Sequence, residues 1–271
     1  MRGKTVLITG AGRGIGKRLA LGFAAEGANI GLLARSHGQL DLAKLEIEQA
    51  GGAALVLRAD VRDSNELERA AECLRATFGS IGALIAAAAV QGPIGPFVTN
   101  PAKAWDETVE TNLFGVVNAC RAVLPQMIEK RSGKIIMISG GGSAYARPNF
   151  TAYAAAKTAV VRFAETLAEE VRDHNVQVNV VAPGAAYSHM TDEILHAGEE
   201  RAGRKEIEDA EKVQVTGGIP AEKQIALALF LASEQSNHIS GKLIHVNDDW
   251  KKFHQENMKP ELFTLRRVQK I

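Results

Sequence analysis

Cysteine is nearly absent, with two in 271 residues, and what little there is carries no sulfur chemistry. Cys73 and Cys120 both fall in helix-like segments and match neither a CxxC nor a metal-ligand spacing, so they read as small buried hydrophobes. The seven histidines, His174, His189, His196 and His245 among them, form no ligand cluster, and Asp248-Asp249 reads as a solvated turn. No metal is assigned. An excess of one charge sign is also missing: the formal net charge is +1, which implies no pull toward nucleic acid or an anionic membrane. No apolar run approaches the roughly 20 residues of a membrane-spanning helix, and MRGKTVLITG enters a strand too early for a signal peptide. A cytoplasmic protein is expected. What remains, 46% hydrophobic and 23% charged residues, fits one α/β domain over 1–271.

Thr5–Thr9 (TVLIT) reads as a strand buried on both faces of a parallel sheet. It runs into Gly10-Ala11-Gly12-Arg13-Gly14-Ile15-Gly16 and then a helix, KRLALGFAAEGA. Strand, glycine loop and helix in that order mean dinucleotide binding, because glycines let the backbone approach a pyrophosphate at the helix N-terminus. The second strand, Asn29–Ala34, ends at Arg35, where an acidic residue favours NAD(H) and a basic one accommodates the 2′-phosphate of NADP(H). Arg35 and Arg13, with no carboxylate at that tip, favour NADP(H) and leave NAD(H) as the alternative. Helix His37–Ala50, strand Ala54–Ala59, helix Ser64–Phe78 with Ser64 as N-cap, and strand Ala83–Ala88 continue the alternation. The pattern predicts a doubly wound, Rossmann-type parallel sheet of about seven strands with helices on both faces.

A second stretch, Ser139–Lys157, is predicted to carry the chemistry. After the apolar strand Lys134–Ile138, the segment Thr151–Asp173 turns helical and sets Tyr153 and Lys157 one turn apart on one face. A phenol titrates near ~10; an ammonium beside it favours the phenolate and brings it toward useful proton transfer.

With these motifs in order, the chain resembles the short-chain dehydrogenase/reductase family from Lys4 to about Val246. The carriers are TGxxxGIG at Thr9–Gly16, Asp60-Val61 after the third strand, Asn112 in ETNLFGVVNA, YxxxK at Tyr153 and Lys157, and Pro183-Gly184 after Val176–Ala182. The resemblance implies an NAD(P)-dependent oxidoreductase that interconverts a secondary alcohol and a ketone, and the pocket residues named below favour a small, polar substrate. It implies that Asp60 and Val61 meet the adenine, Ala87 and Ala88 face the riboses, and Ser188 meets the nicotinamide carboxamide beside Pro183 and Gly184. Lys157 is implied to lower the Tyr153 pKa and hold a ribose, and Asn112 to sustain a water-mediated proton path. A homotetramer is implied in which helices at about Lys103–Lys130 and Thr151–Asp173 pair with their mates.

The chain departs from the family in two places. Ala86–Ala89 replaces a run that usually begins Asn-Asn, removing amides that tie the turn to neighbouring strands. The catalytic serine, usually about thirteen residues before the tyrosine, is Gly140 here. Ser139 is favoured as its substitute, with Ser143 and the backbone N–H groups of the glycine loop as alternatives. Residues 187–218 read as a charged helical flap over the substrate, with Gln91, Tyr145 and Arg147 as candidates for a polar pocket. The tail, 247–271, carries Trp250, Phe253, Leu262 and Phe263, which are expected to pack. Three other functions stay open: reduction of 3-oxoacyl thioesters, favoured by a basic patch at Arg201, Arg204 and Lys205; modification of nucleotide-linked sugars; and NADP binding without catalysis.

Overall fold

The computed structural model describes residues 1–254, 258–259 and 261–266; the end of the tail, 267–271, lies outside them. Its frame is Thr5–Thr9 (β1), Asn29–Ala34 (β2), Ala53–Arg58 (β3), Ile81–Ala86 (β4), Gly133–Ile138 (β5), Val176–Ala182 (β6) and Leu243–His245 (β7). All pairings among these strands are parallel, in the order β3-β2-β1-β4-β5-β6-β7. β1 and β5 are buried at every position, as continuous apolar runs between two helical layers must be.

Alternation along each strand divides the core. Val6 and Ile8 face one side with Leu19, Phe23, Leu40 and Leu227, beneath Gly14–Ala25 (α1), His37–Gln49 (α2) and a helix at Ala221–Ala232. Leu7 faces the other with Leu67, Leu74, Val123, Val160 and Val178, beneath Ser64–Phe78 (α3) and the central helices. Burying each such Leu or Val stabilises the fold by roughly 1.5–3 kcal/mol.

The two central helices depart from the expected pattern in one respect. The segment anticipated as one helix over Lys103–Lys130 is Ala102–Val109 (α4), a single π-turn at Glu110–Phe114, and Gly115–Glu129 (α5). Thr151–Glu170 (α6) follows, ending in a short 3₁₀ turn at Arg172–His174. The flap is His189–Ala202 (α7), broken at Gly198, and Arg204–Thr216 (α8); the helix at Ala221–Ala232 is α9. α7 and α8 close a small apolar cluster of Ile94, Phe150, Ile194, Ala202 and Ala210.

Three local expectations are corrected. α3 is capped by Asp63, not Ser64: the Asp63 carboxylate accepts from the N–H groups of Asn65 and Glu66 at 2.9 and 3.1 Å. β4 ends at Ala86 because the next two N–H groups, Ala87 and Ala88, turn to Thr9 Oγ1 at 3.1 Å each. That hydroxyl restores a tie that the alanine run had removed. In the tail, Trp250 packs on Phe230 and Phe253 on Phe263, whereas Leu262 is 40% exposed.

Candidate active site

β1 sits where the strand order reverses, with β2 on one side and β4 on the other. Ligands of such sheets bind at the carboxyl ends of the strands beside that point. A cleft of about 340 Å³ lies there, and it runs from Arg35, Asp60 and Val61 past the glycine loop to Tyr153, Lys157 and Ser188. Gly10, Gly12, Arg13, Gly14, Ile15 and Gly16 line it on one side, Ala87 and Ala88 on the other. Gly10 has φ +68°, and a Cβ there would come within 2.7 Å of Ala88 Cα, so the loop and the β4 turn approach as only glycine permits. This is a backbone cradle at the N-terminus of α1, with no acidic residue in that helix's first turn to repel an anion. The residues present fit a dinucleotide.

At the Arg35 and Asp60 end of the cleft the charges pair differently from the sequence expectation. Arg62 grips Asp60 through Nε and Nη2 at 3.1 and 2.6 Å, and this contact holds the Asp60 carboxyl below the usual carboxylate range. Arg35 Nη1 stands 4.0 Å from Asp60 and remains 60% exposed. The strand tip, expected to lack a carboxylate, therefore has one at its edge, already neutralised by a third guanidinium.

A second hollow of about 860 Å³ adjoins the cleft, and Ser139, Tyr153 and Ser188 belong to the walls of both. Pro183 and Gly184, expected at the cofactor, line this larger hollow only. The Pro183 carbonyl is held by Gln224 Nε2 at 2.9 Å. Tyr145 and Arg147 are also on its walls, but Gln91 is buried away from both hollows. The basic patch anticipated on the flap is largely engaged: Arg201 Nε donates to Ile94 O at 3.0 Å and Arg204 Nε to Glu199 at 3.0 Å.

Ser139 is fixed by its own N–H, which donates to Val181 O at 2.8 Å. Its hydroxyl is buried and has no hydrogen-bond partner among the described residues. Ser143 lines only the larger hollow. Gly140 explains why the family's serine position is empty here: a Cβ on it would fall within 2.9 Å of two Tyr153 ring carbons and closer still to the hydroxyl. The phenol occupies the space that a side chain would need.

Burial raises the Tyr153 pKa, and the first charge that opposes the rise is Arg147, from the loop before α6. The Lys157 ammonium, expected to lower that pKa, stands 5.7 Å from the ring centroid, as Arg147 does. Lys157 is 1% exposed, donates to Ile138 O at 2.8 Å, and its pKa is lowered to about 8 by loss of water around the ammonium. Asn112, expected to sustain a water-mediated proton path, uses its side-chain amide on backbone. It sits in the π-turn, where the extra residue turns it fully inward. Its Oδ1 accepts from Val90 N and its Nδ2 donates to Val90 O, both at 2.9 Å. The amide is a clamp on the cleft wall. Arg147, unlike these, has no motif around it, and its only sequence signal is its place after a run of glycines.

Among the described residues no group of histidine, cysteine and carboxylate side chains could hold a metal ion, and no helix is long and apolar enough to cross a membrane. A family model described as short chain dehydrogenase matches residues 4–198. The 3-oxoacyl-(acyl-carrier-protein) reductase FabG of Staphylococcus aureus is 32% identical over 251 residues, covering 90% of this chain and 96% of that protein. The crystal structure of levodione reductase superposes with a TM-score of 0.83 at 28% identity, over 90% of this chain and 96% of that one. A gluconate 5-dehydrogenase from Burkholderia cenocepacia, solved in complex with NADP and tartrate, gives 0.80 at 28%, over 90% and 94%. The chain belongs to the short-chain dehydrogenase family and is an NAD(P)-dependent oxidoreductase.

Proposed function

We propose that this enzyme interconverts a secondary alcohol and a ketone on a small polar substrate, with NADP(H) as the preferred cofactor. One observation carries the reading: where the two hollows join, a buried tyrosine hydroxyl and a serine hydroxyl without a partner share one wall. An unpartnered buried hydroxyl is costly unless a ligand completes it.

The nicotinamide, when bound, supplies the hydride chemistry. Tyr153 gives its proton to the carbonyl oxygen in reduction and takes the alcohol proton in oxidation. Ser139 donates from Oγ to that same oxygen and orients it. Lys157 keeps its ammonium on the cleft side of α6, where a ribose would lie. Asn112 holds Val90, and so the wall facing the glycine loop. Arg13 and Arg35 at the cleft are the groups available to a 2′-phosphate; Arg62 binds Asp60 at 2.6 Å, closer than Arg35 at 4.0 Å. The same proposal takes the protein to be a cytoplasmic homo-oligomer with no nucleic-acid or membrane partner, which family membership and the +1 net charge support.

A second reading, reduction of a 3-oxoacyl thioester, draws on the 32% identical reductase and on a hollow of about 860 Å³, which exceeds the needs of a small ketone. Paired titrations with NADPH and NADH, followed by NADPH oxidation against sugar, small-ketone and acyl-thioester panels, test both. Tighter NADPH binding with turnover on sugar or ketone substrates is expected; turnover confined to thioesters selects the second reading, and NADH preference overturns the cofactor assignment. Tyr153→Phe is expected to abolish turnover and leave NADPH binding intact.

A further inference from the structure

Arg147 sits in the loop between β5 and α6 with its side chain largely buried. Its guanidinium lies 3.9 Å from the Phe150 ring centroid and 5.7 Å from that of Tyr153. The glycines before it make the seat: a Cβ on Gly142 would meet Arg147 Cβ at 3.1 Å, and one on Gly141 would meet its Cδ at 3.7 Å. From the far side α8 supplies Glu206, whose carboxylate accepts from Arg147 Nε and Nη2 at 2.9 and 2.7 Å. The run of glycines thus removes the family's serine and admits an arginine in one stroke.

A cation over an aromatic ring is held more strongly when that ring bears a phenolate, so its presence favours loss of the phenol proton. A carboxylate bound to that cation offsets part of the effect. The other charged or titratable groups on the walls of the larger hollow are Tyr145 on the same loop, Asp209 and Lys212 on α8, His245 in β7 and Asp248 beyond it, while Lys157 on α6 lines the cleft with Arg13, Arg35, Asp60 and His189. Lys157 Nζ is also 5.7 Å from the Tyr153 ring centroid, but it donates to the Ile138 carbonyl.

We propose that Arg147 is a positioning residue for the reaction, holding a positive charge over the Tyr153 ring while Glu206 on the flap tempers that charge. The inference rests on Tyr153 being the proton carrier. It ties the proton affinity of the acid–base residue to the flap that covers the substrate, so that flap contacts and catalytic pH dependence change together. Burial lifts the phenol pKa and Arg147 is the first group to pull it back, in line with the geometry.

The test is an ultraviolet titration of tyrosinate absorption in the apo protein, taken as the difference from Tyr153→Phe, together with the pH profile of alcohol oxidation once a substrate is found. Arg147→Met is expected to move the Tyr153 midpoint up by about one pH unit or more. Arg147→Lys is expected to restore much of that shift. Glu206→Gln, which keeps an acceptor for Arg147 while losing the charge, is expected to move the midpoint down; it keeps the test readable should the Met variant not fold. A midpoint unmoved in folded Arg147→Met and Glu206→Gln, or moved the same way in both, overturns the proposal. Retained turnover in Tyr153→Phe overturns the acid–base assignment instead, so the two failures are distinct.

Discussion

At the residue scale, the proposed chemistry turns on the Ser139 hydroxyl and on Gly140. A buried Oγ without a partner contributes nothing to folding and loses its hydration, and the proposed function gives it a partner in the bound substrate. Ser139→Ala should therefore leave the melting temperature nearly unchanged while lowering kcat about 10²-fold, the usual effect of removing one donor to a developing oxyanion. Steady-state turnover and a thermal melt of the same preparation check it; a large loss of stability with kcat unchanged would make Ser139 a structural residue. The neighbouring position also shows where residue-level reading stops. Gly140 is visible in the sequence as a departure, but its cause is not, because the Tyr153 ring that fills its space arrives from α6, thirteen residues later.

At the scale of elements, legibility follows sequence separation. Strand alternation, the glycine loop and the Tyr–Lys helix are each written within about ten residues, and each begins in the structure within two residues of where the pattern put it. What escaped depends on distant partners. Thr9 reaches Ala87 across 78 positions, Arg147 reaches Glu206 across 59, and Asn112 reaches Val90 across 22. Asp63 and Ser64 are both good N-caps by type, and only the backbone path between β3 and α3 chooses between them. The π-turn is the clearest such case: nothing in ETNLFGVVNA marks it, yet it aims Asn112 at Val90. Asn112→Ala would orphan both polar groups of Val90, at about 1–3 kcal/mol for each one buried. A lowered denaturation midpoint with weakened NADPH binding is expected. If Asn112 were instead a proton relay, as the family resemblance implies, turnover would fall while stability and affinity held.

For the whole molecule, the critical feature is how the sheet ends. β7 is only three residues long and stands at the edge, where unpaired N–H and C=O groups invite another chain. The tail answers that exposure. Leu243 N donates to Phe263 O at 2.7 Å, and the Lys242 ammonium donates to the carbonyls of Lys259 and Leu262 at 3.0 and 2.9 Å. Farther along, Leu265 is held at both ends: its N–H donates to Glu165 at 2.7 Å, and its carbonyl accepts from Arg162 Nη2 at 2.6 Å. Glu165 and Arg162 stand on α6, the helix that carries Tyr153 and Lys157, and Asn247 and Asp248 at the tail's start line the larger hollow. The described residues of the tail therefore touch the larger hollow, the β7 edge and α6, the helix that carries Tyr153 and Lys157. Deleting residues 259–271 would strip partners from two nearly buried charges, Lys242 and Glu165, and hydrogen bonds to charged groups contribute about 1.5–3 kcal/mol each. We expect a loss of several kcal/mol in chemical denaturation. Sedimentation velocity should also show concentration-dependent association beyond that of the full chain, because the β7 edge is then open. An unchanged denaturation midpoint and an unchanged sedimentation profile would mean that the tail neither braces α6 nor shields the edge.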